Sequence, residues 1–143
     1  MSISLDELIK QHQQVIHELE EIVGFRRGTI SVNFRKCGKR NCICAQPNHP
    51  GHGPQYLWSA TIQGKSYAKN LTLGPQLEIY QKNTEDYRRF QQLVERLVQI
   101  NERIFETRPI PEVEDTEELE ALKKKLRLQF MEKYRKKSKR FSR

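Results

Sequence analysis

The chain has 143 residues, 36% of them hydrophobic and 31% charged, with a net charge of +8 and a pI near 9.5. That length accommodates one compact domain plus an appendage, with a core thin enough to need a metal or a partner. No apolar run approaches the ~20 residues of a membrane span, and the acidic start Met1-Ser-Ile-Ser-Leu-Asp-Glu is unlike a secretory signal.

Residues 1–24 read as a helix, net charge −4. Leu5, Leu8, Ile9, His12, Val15, Ile16, Leu19, Ile22 and Val23 recur at three- and four-residue spacing and form one apolar stripe. Ser4 is the expected N-cap, Glu7 its capping-box partner, and Gly24 the stop. His12 falls on the stripe as a packing residue; His17 lies off it. Residues 25–74 read as β and hold eight Lys or Arg with no Asp or Glu. Ile30, Val32 and Phe34 alternate with Thr29, Ser31 and Asn33. Two further strands, 56–62 and 66–73, flank a hairpin turn at Gln63-Gly64-Lys65. Tyr56 and Trp58 share a face, expected to be the inner one.

Residues 75–106 read as a long helix. Tyr80, Tyr87, Phe90, Val94, Leu97, Asn101 and Ile104 fit a heptad register, with Asn101 at a core position. Packing against the first helix as an antiparallel pair satisfies both stripes; a helix-mediated dimer is the alternative to a monomer. Arg108-Pro109-Ile-Pro111 ends this helix. An acidic stretch, 112–122, carries −6 and precedes a tail, 123–143, carrying +10. A third helix is expected from Thr116 as its cap, with Leu119, Leu122, Leu126, Phe130 and Tyr134 as a narrow apolar stripe. The expected organisation is a domain over 1–106, a Pro-rich acidic linker over 107–118 and a basic C-terminal helix over 119–143.

All three cysteines lie between residues 37 and 44, in Cys37-Gly-Lys-Arg-Asn-Cys42-Ile-Cys44, and His49 and His52 follow. Thiolate and imidazole suit tetrahedral Zn²⁺, and a closed structural site needs four of them. Cys42 and Cys44 point opposite ways in a flat strand, so binding one ion requires the chain to turn there. Pro47, Pro50, Gly51, Gly53 and Pro54 form a return loop that can bring a histidine back. The expected ligands are Cys37, Cys42, Cys44 and His52, with His49 the rival fourth; free buried cysteines and an iron–sulfur cluster are the competing readings. An odd number of crowded cysteines fits a metal better than disulfides, and a reducing cytoplasm.

These residues resemble a family. Cys37-Gly-Lys-Arg-Asn-Cys-Ile-Cys, His52-Gly-Pro-Gln-Tyr-Leu-Trp, Gly64-Lys and Tyr87-Arg-Arg-Phe are similar to segments of small bacterial proteins classed as a domain of unknown function. The resemblance covers roughly residues 20–106. It implies His52 as the fourth ligand and a setting among mobile elements and transposase-like genes, hence DNA ahead of RNA. It supplies no activity and no catalytic residue.

A strongly basic balance points to a polyanion. The candidate nucleic-acid contacts are Arg26, Arg27, Arg35, Lys36, Lys39, Arg40, Lys65 and Lys69, with Lys136, Lys137, Lys139 and Arg140 in the tail. No recognition helix of a known motif is evident, so binding is expected to be largely sequence-independent. Nothing provides a catalytic set: residues 25–74 have no carboxylate, and no Gly-rich phosphate loop, H-E-x-x-H or zinc-deaminase pattern occurs. The sequence therefore predicts an α+β, zinc-stabilised, non-enzymatic module that binds nucleic acid; a protein-interaction adaptor is the alternative.

Overall fold

A computed structural model describes residues 2–141; Met1, Ser142 and Arg143, the last two of the basic tail, lie outside the described residues. The order is α1 (Leu5–Glu20), β1 (Thr29–Arg35), a 3-10 turn (Ile43–Ala45), β2 (His52–Ile62), β3 (Lys65–Leu71), α2 (Pro75–Thr107) and α3 (Thr116–Phe141). The chain divides into two units, residues 1–107 and 108–143. The first is an α+β unit with a three-stranded antiparallel sheet in the order β1-β2-β3.

Helix α1 starts where the capping chemistry places it. The Ser4 side chain accepts the Glu7 N–H at 3.3 Å. Leu8 and Val15 pack against Leu93, Ile100 and Ile104 of α2, with Leu5, Leu19, Ile22 and Leu97 around them. The pair runs antiparallel. Glu18 faces Arg89 at 3.9 Å, while His12, earlier in α1, meets Asn101, later in α2, at 3.2 Å. Val23 is 86% exposed, because α1 ends at Glu20 and the stripe stops at Ile22.

Of the heptad expected for α2, Leu97 and Ile104 lie on the seam with α1, while Val94 and Asn101 do not. The buried seam is Leu93, Leu97, Ile100 and Ile104; Val94 is exposed, and Asn101 sits at the rim, bonded to His12 and to the Leu97 carbonyl. Leu93-Val94 offers two adjacent apolar residues, and both stripes share Leu97 and Ile104, so a count along the sequence can take either register. Packing selects the one that puts Leu93 and Ile100 on α1.

The connector 21–28 ties this pair to the sheet. Phe25 stacks on Phe90 and meets Tyr87, and the Arg26 N–H donates to the Asn83 carbonyl at 3.0 Å. Register Ile30↔Trp58↔Lys69 and Val32↔Tyr56↔Leu71 puts these residues on one face, which meets the start of α2. Trp58 is buried, edge-on to Tyr80, and its Nε1–H donates to the Arg27 carbonyl at 2.9 Å. The apolar face fades toward the end of β1: Val32 and Phe34 are 57% and 50% exposed. The opposite face carries Ser31, Asn33, Gln55, Ser59, Thr61, Ser66 and Asn70 and no charge from Thr29 to Asn33 or on their partner strands.

The second unit holds α3. Asp115 is its cap in place of Thr116: its carboxylate accepts the Glu117 N–H at 2.8 Å and the Glu118 N–H at 3.4 Å. Thr116 is the first helical residue. Leu122, Leu126, Phe130 and Tyr134 are all exposed.

Candidate metal centre

The end of the sheet that holds the β1–β2 connection builds the site. Pairing runs Asn33↔Gln55 and then Arg35↔His52, so β2 has two residues where β1 has one. Such a bulge bends the strand and re-aims its side chains. Here it sets His52 opposite Arg35, two positions before Cys37. The 3-10 turn Ile43–Ala45 supplies the reversal that Cys42 and Cys44 require. Its bonds run from the Ala45 N–H to the Cys42 carbonyl at 3.0 Å and from the Gln46 N–H to the Ile43 carbonyl at 3.2 Å.

The ligand atoms of Cys37, Cys42, Cys44 and His52 all lie within 4.8 Å of one another. The Cys37 and Cys44 sulfurs are 3.4 Å apart, and the Cys42 Sγ is 3.2 Å from His52 Nε2. Four ligands held at ~2.0–2.3 Å around a tetrahedral ion stand roughly 3.3–3.8 Å from each other. The group is therefore placed for one metal ion. Cys44 is its buried member, while Cys37 and His52 are exposed. His49 stands outside the group. Its Nδ1 accepts the Gly51 N–H at 3.0 Å and shapes the return loop.

Cys37 and Cys44 are shifted in opposite directions. Cys37 is lowered to about 6, first by the Lys39 backbone N–H, then by His52 and Cys44. Cys44 goes the other way. The Cys37 backbone N–H, at 3.4 Å from its sulfur, pulls it down, but burial and the neighbouring thiols outweigh that and raise it. A divalent ion favours the deprotonated form of every thiol it binds.

Two residues support the site in ways that their sequence patterns do not announce. Lys36 Nζ donates to the Gln46 carbonyl at 3.2 Å and closes the loop across its base. Gly51 is buried at φ +108°, and a Cβ there would stand 2.6 Å from the Arg35 carbonyl carbon. Only glycine combines that backbone conformation with so close an approach.

Within the first unit the candidate basic residues do not converge on one surface. Arg35, Lys36, Lys39 and Arg40 surround the metal loop. Lys65 begins β3, at the far end of the sheet. Arg26 lies 4.3 Å over the Trp58 ring and 5.1 Å from Tyr80, and Lys69 is 5.8 Å from Tyr80. Both cations face aromatic rings on the inner side, contacts worth ~0.5–1 kcal/mol each at exposed sites. Arg27 lends its carbonyl to Trp58. Lys136, Lys137, Lys139 and Arg140 lie on α3 in the second unit, where Lys136 pairs with Glu132 at 3.1 Å.

The model of a family described as Domain of unknown function (DUF6788) matches residues 5–78, just over half of the chain. The match runs from the first residue of α1 to the first turn of α2, and so begins and ends earlier than the 20–106 expected from the motifs. It takes in the whole sheet and the Cys3His group. No curated protein matches the chain, and no solved structure does. The chain belongs to the DUF6788 family.

Proposed function

We propose that this DUF6788 member is a zinc-stabilised, non-enzymatic module that binds nucleic acid through the basic loop its metal centre folds. The observation that carries the reading is local. Arg35, Lys36, Lys39 and Arg40 lie within six residues on the metal loop, in a segment, 25–74, that has no carboxylate. A Cys3His set favours Zn²⁺ by ligand softness, and four protein ligands leave no open position for substrate or water, so the ion is structural. Three thiolates and Zn²⁺ leave one net negative charge. The four basic side chains more than offset it and keep the loop cationic. Without a recognition element, such a loop grips phosphates by counterion release, with little regard to sequence. DNA ahead of RNA, an accessory role in transposition and a cytoplasmic setting are the finer parts of the proposal, supported by the family resemblance and the crowded thiols. No helix among the described residues is long and apolar enough to cross a membrane.

The test is binding of the metal-loaded protein to labelled single- and double-stranded DNA and RNA across a salt series. Affinity should fall steeply with salt. Lys39→Glu with Arg40→Glu should weaken binding at least tenfold and reduce the log–log salt slope by about two. Binding of every nucleic acid that is weak and insensitive to this double variant would refute the reading.

A second reading, a protein-interaction adaptor, is favoured by the exposed apolar residues of α3. Under it, Leu122→Ala and Phe130→Ala abolish capture of a partner, while the double loop variant leaves that capture intact.

A further inference from the structure

Helix α3 combines two patterns that share one register. Its apolar stripe is Leu119, Leu122, Leu126, Phe130 and Tyr134, on which Leu122 and Leu126 are about two-fifths exposed and the two aromatics about two-thirds. Its charge is segregated along the axis. Within the helix, residues 116–122 hold three carboxylates and no Lys or Arg, and residues 133–140 hold six Lys or Arg and no carboxylate, with Lys123, Lys124, Lys125, Arg127 and Glu132 between them. Helices in proteins draw most of their stability from packing an amphipathic face.

We infer that α3 is the site of self-association, pairing antiparallel with α3 of a second copy of this chain. Centring the pair between Leu126 and Arg127 places Leu119 level with the partner copy's Tyr134 and brings each Leu122 beside Phe130 of the other copy. The same centring puts Glu118 level with Arg135 and next to Lys136. Glu118 and Lys136 flank the stripe on the same side, and flanking positions of the same kind face one another across an antiparallel pair. The register demanded by the apolar stripe is thus the register in which each acidic end meets a basic end. A parallel pair sets carboxylates on carboxylates and the two basic blocks on each other, and like-charge juxtaposition of this kind selects against it. Intrahelical pairs already seen, Lys123 with Glu120 at 2.9 Å and Lys136 with Glu132 at 3.1 Å, are exposed and free to exchange. The pairing is isologous and closes as a dimer. It stands independently of the nucleic-acid reading, and it would present two metal loops per assembly.

The experiment is sedimentation of the full-length, metal-loaded protein over a concentration series up to about 100 µM, the range in which a Kd of micromolar order is read directly. The wild-type chain should dimerise reversibly. One variant carries Glu117→Lys, Glu118→Lys and Glu120→Lys; another carries Lys133→Glu, Arg135→Glu and Lys136→Glu. Each alone should dimerise at least tenfold more weakly, and an equimolar mixture should recover a heterodimer. Recovery also shows that both variants still form the helix. Leu126→Lys should remove the dimer while metal content stays unchanged. A wild-type chain that remains monomeric throughout, or a dimer that survives Leu126→Lys, overturns the inference.

Discussion

The two ends of the first unit are held by different physics. The α1–α2 pair is closed by Leu8, Val15, Leu93, Ile100 and Ile104, a stripe of ordinary apolar contacts. The sheet has far less to bury: Trp58 and Leu71 are its buried apolar side chains among the described residues, with Cys44 in the loop beside it, and Val32 and Phe34 stay half in water. A small sheet gains independent stability from a hydrophobic face or from packing against a helix, and here that face is only lightly covered. The comparison teaches where the metal matters. On the proposed reading, metal–ligand bonds close the sheet end as leucines and isoleucines close the helical end, and the loop so ordered is the one bearing the basic residues.

That contrast is broken most severely at the metal. Structural zinc contributes on the order of 10 kcal/mol in small metal-dependent domains. Chelation, or Cys44→Ser, should therefore abolish the ordered loop and its strand pairing while most helical circular dichroism remains. Amide exchange would show it, with protection lost in β1 and β2 and kept around Leu93 and Ile100. Uniform loss of protection would mean that the two ends fold as one. Next in size is the converse change. Ile100→Ala removes a buried side chain from the helical seam and should cost about 2–5 kcal/mol in denaturant titration. Its metal stoichiometry should stay at the wild-type value.

Gly51→Ala sharpens the comparison at the seam between strand and loop. The strained backbone alone costs about 1–3 kcal/mol, and the added Cβ collides with Arg35. A competition titration with a chelator should show metal affinity reduced at least tenfold, with the helical signal unaltered. The smallest effect lies farthest from the metal. Ser4→Ala removes the cap of α1 and should lower stability by ~1 kcal/mol, without touching metal affinity.

Much of this was legible because the signals are local. The Ser4 cap, the Ile30/Val32 alternation, the turn at Gln63-Gly64 and the C-x-C reversal each follow from a few adjacent residues. The Cys3His group was legible because three of its members sit within eight positions, and the metal itself dictates their number. The α2 register was not, because adjacent apolar pairs such as Leu93-Val94 fit two stripes and only α1 chooses between them. Nor was the division of the basic residues. A charge count has no direction, and it takes the register Trp58↔Lys69 and the stacking of Arg26 to place two of them over aromatic rings. The bond from Lys36 to the Gln46 carbonyl spans ten residues with no pattern to announce it.

The central claim is that Cys37, Cys42, Cys44 and His52 hold one metal ion that folds the basic loop. Titration of the metal-free protein with Co²⁺, followed by visible absorption, tests it most directly. The account predicts saturation at one equivalent, with the intense bands of a tetrahedral thiolate site. They should be displaced by Zn²⁺, shifted and weakened by His52→Ala and unchanged by His49→Ala. A spectrum without tetrahedral bands, or one that depends on His49 and not on His52, would contradict it.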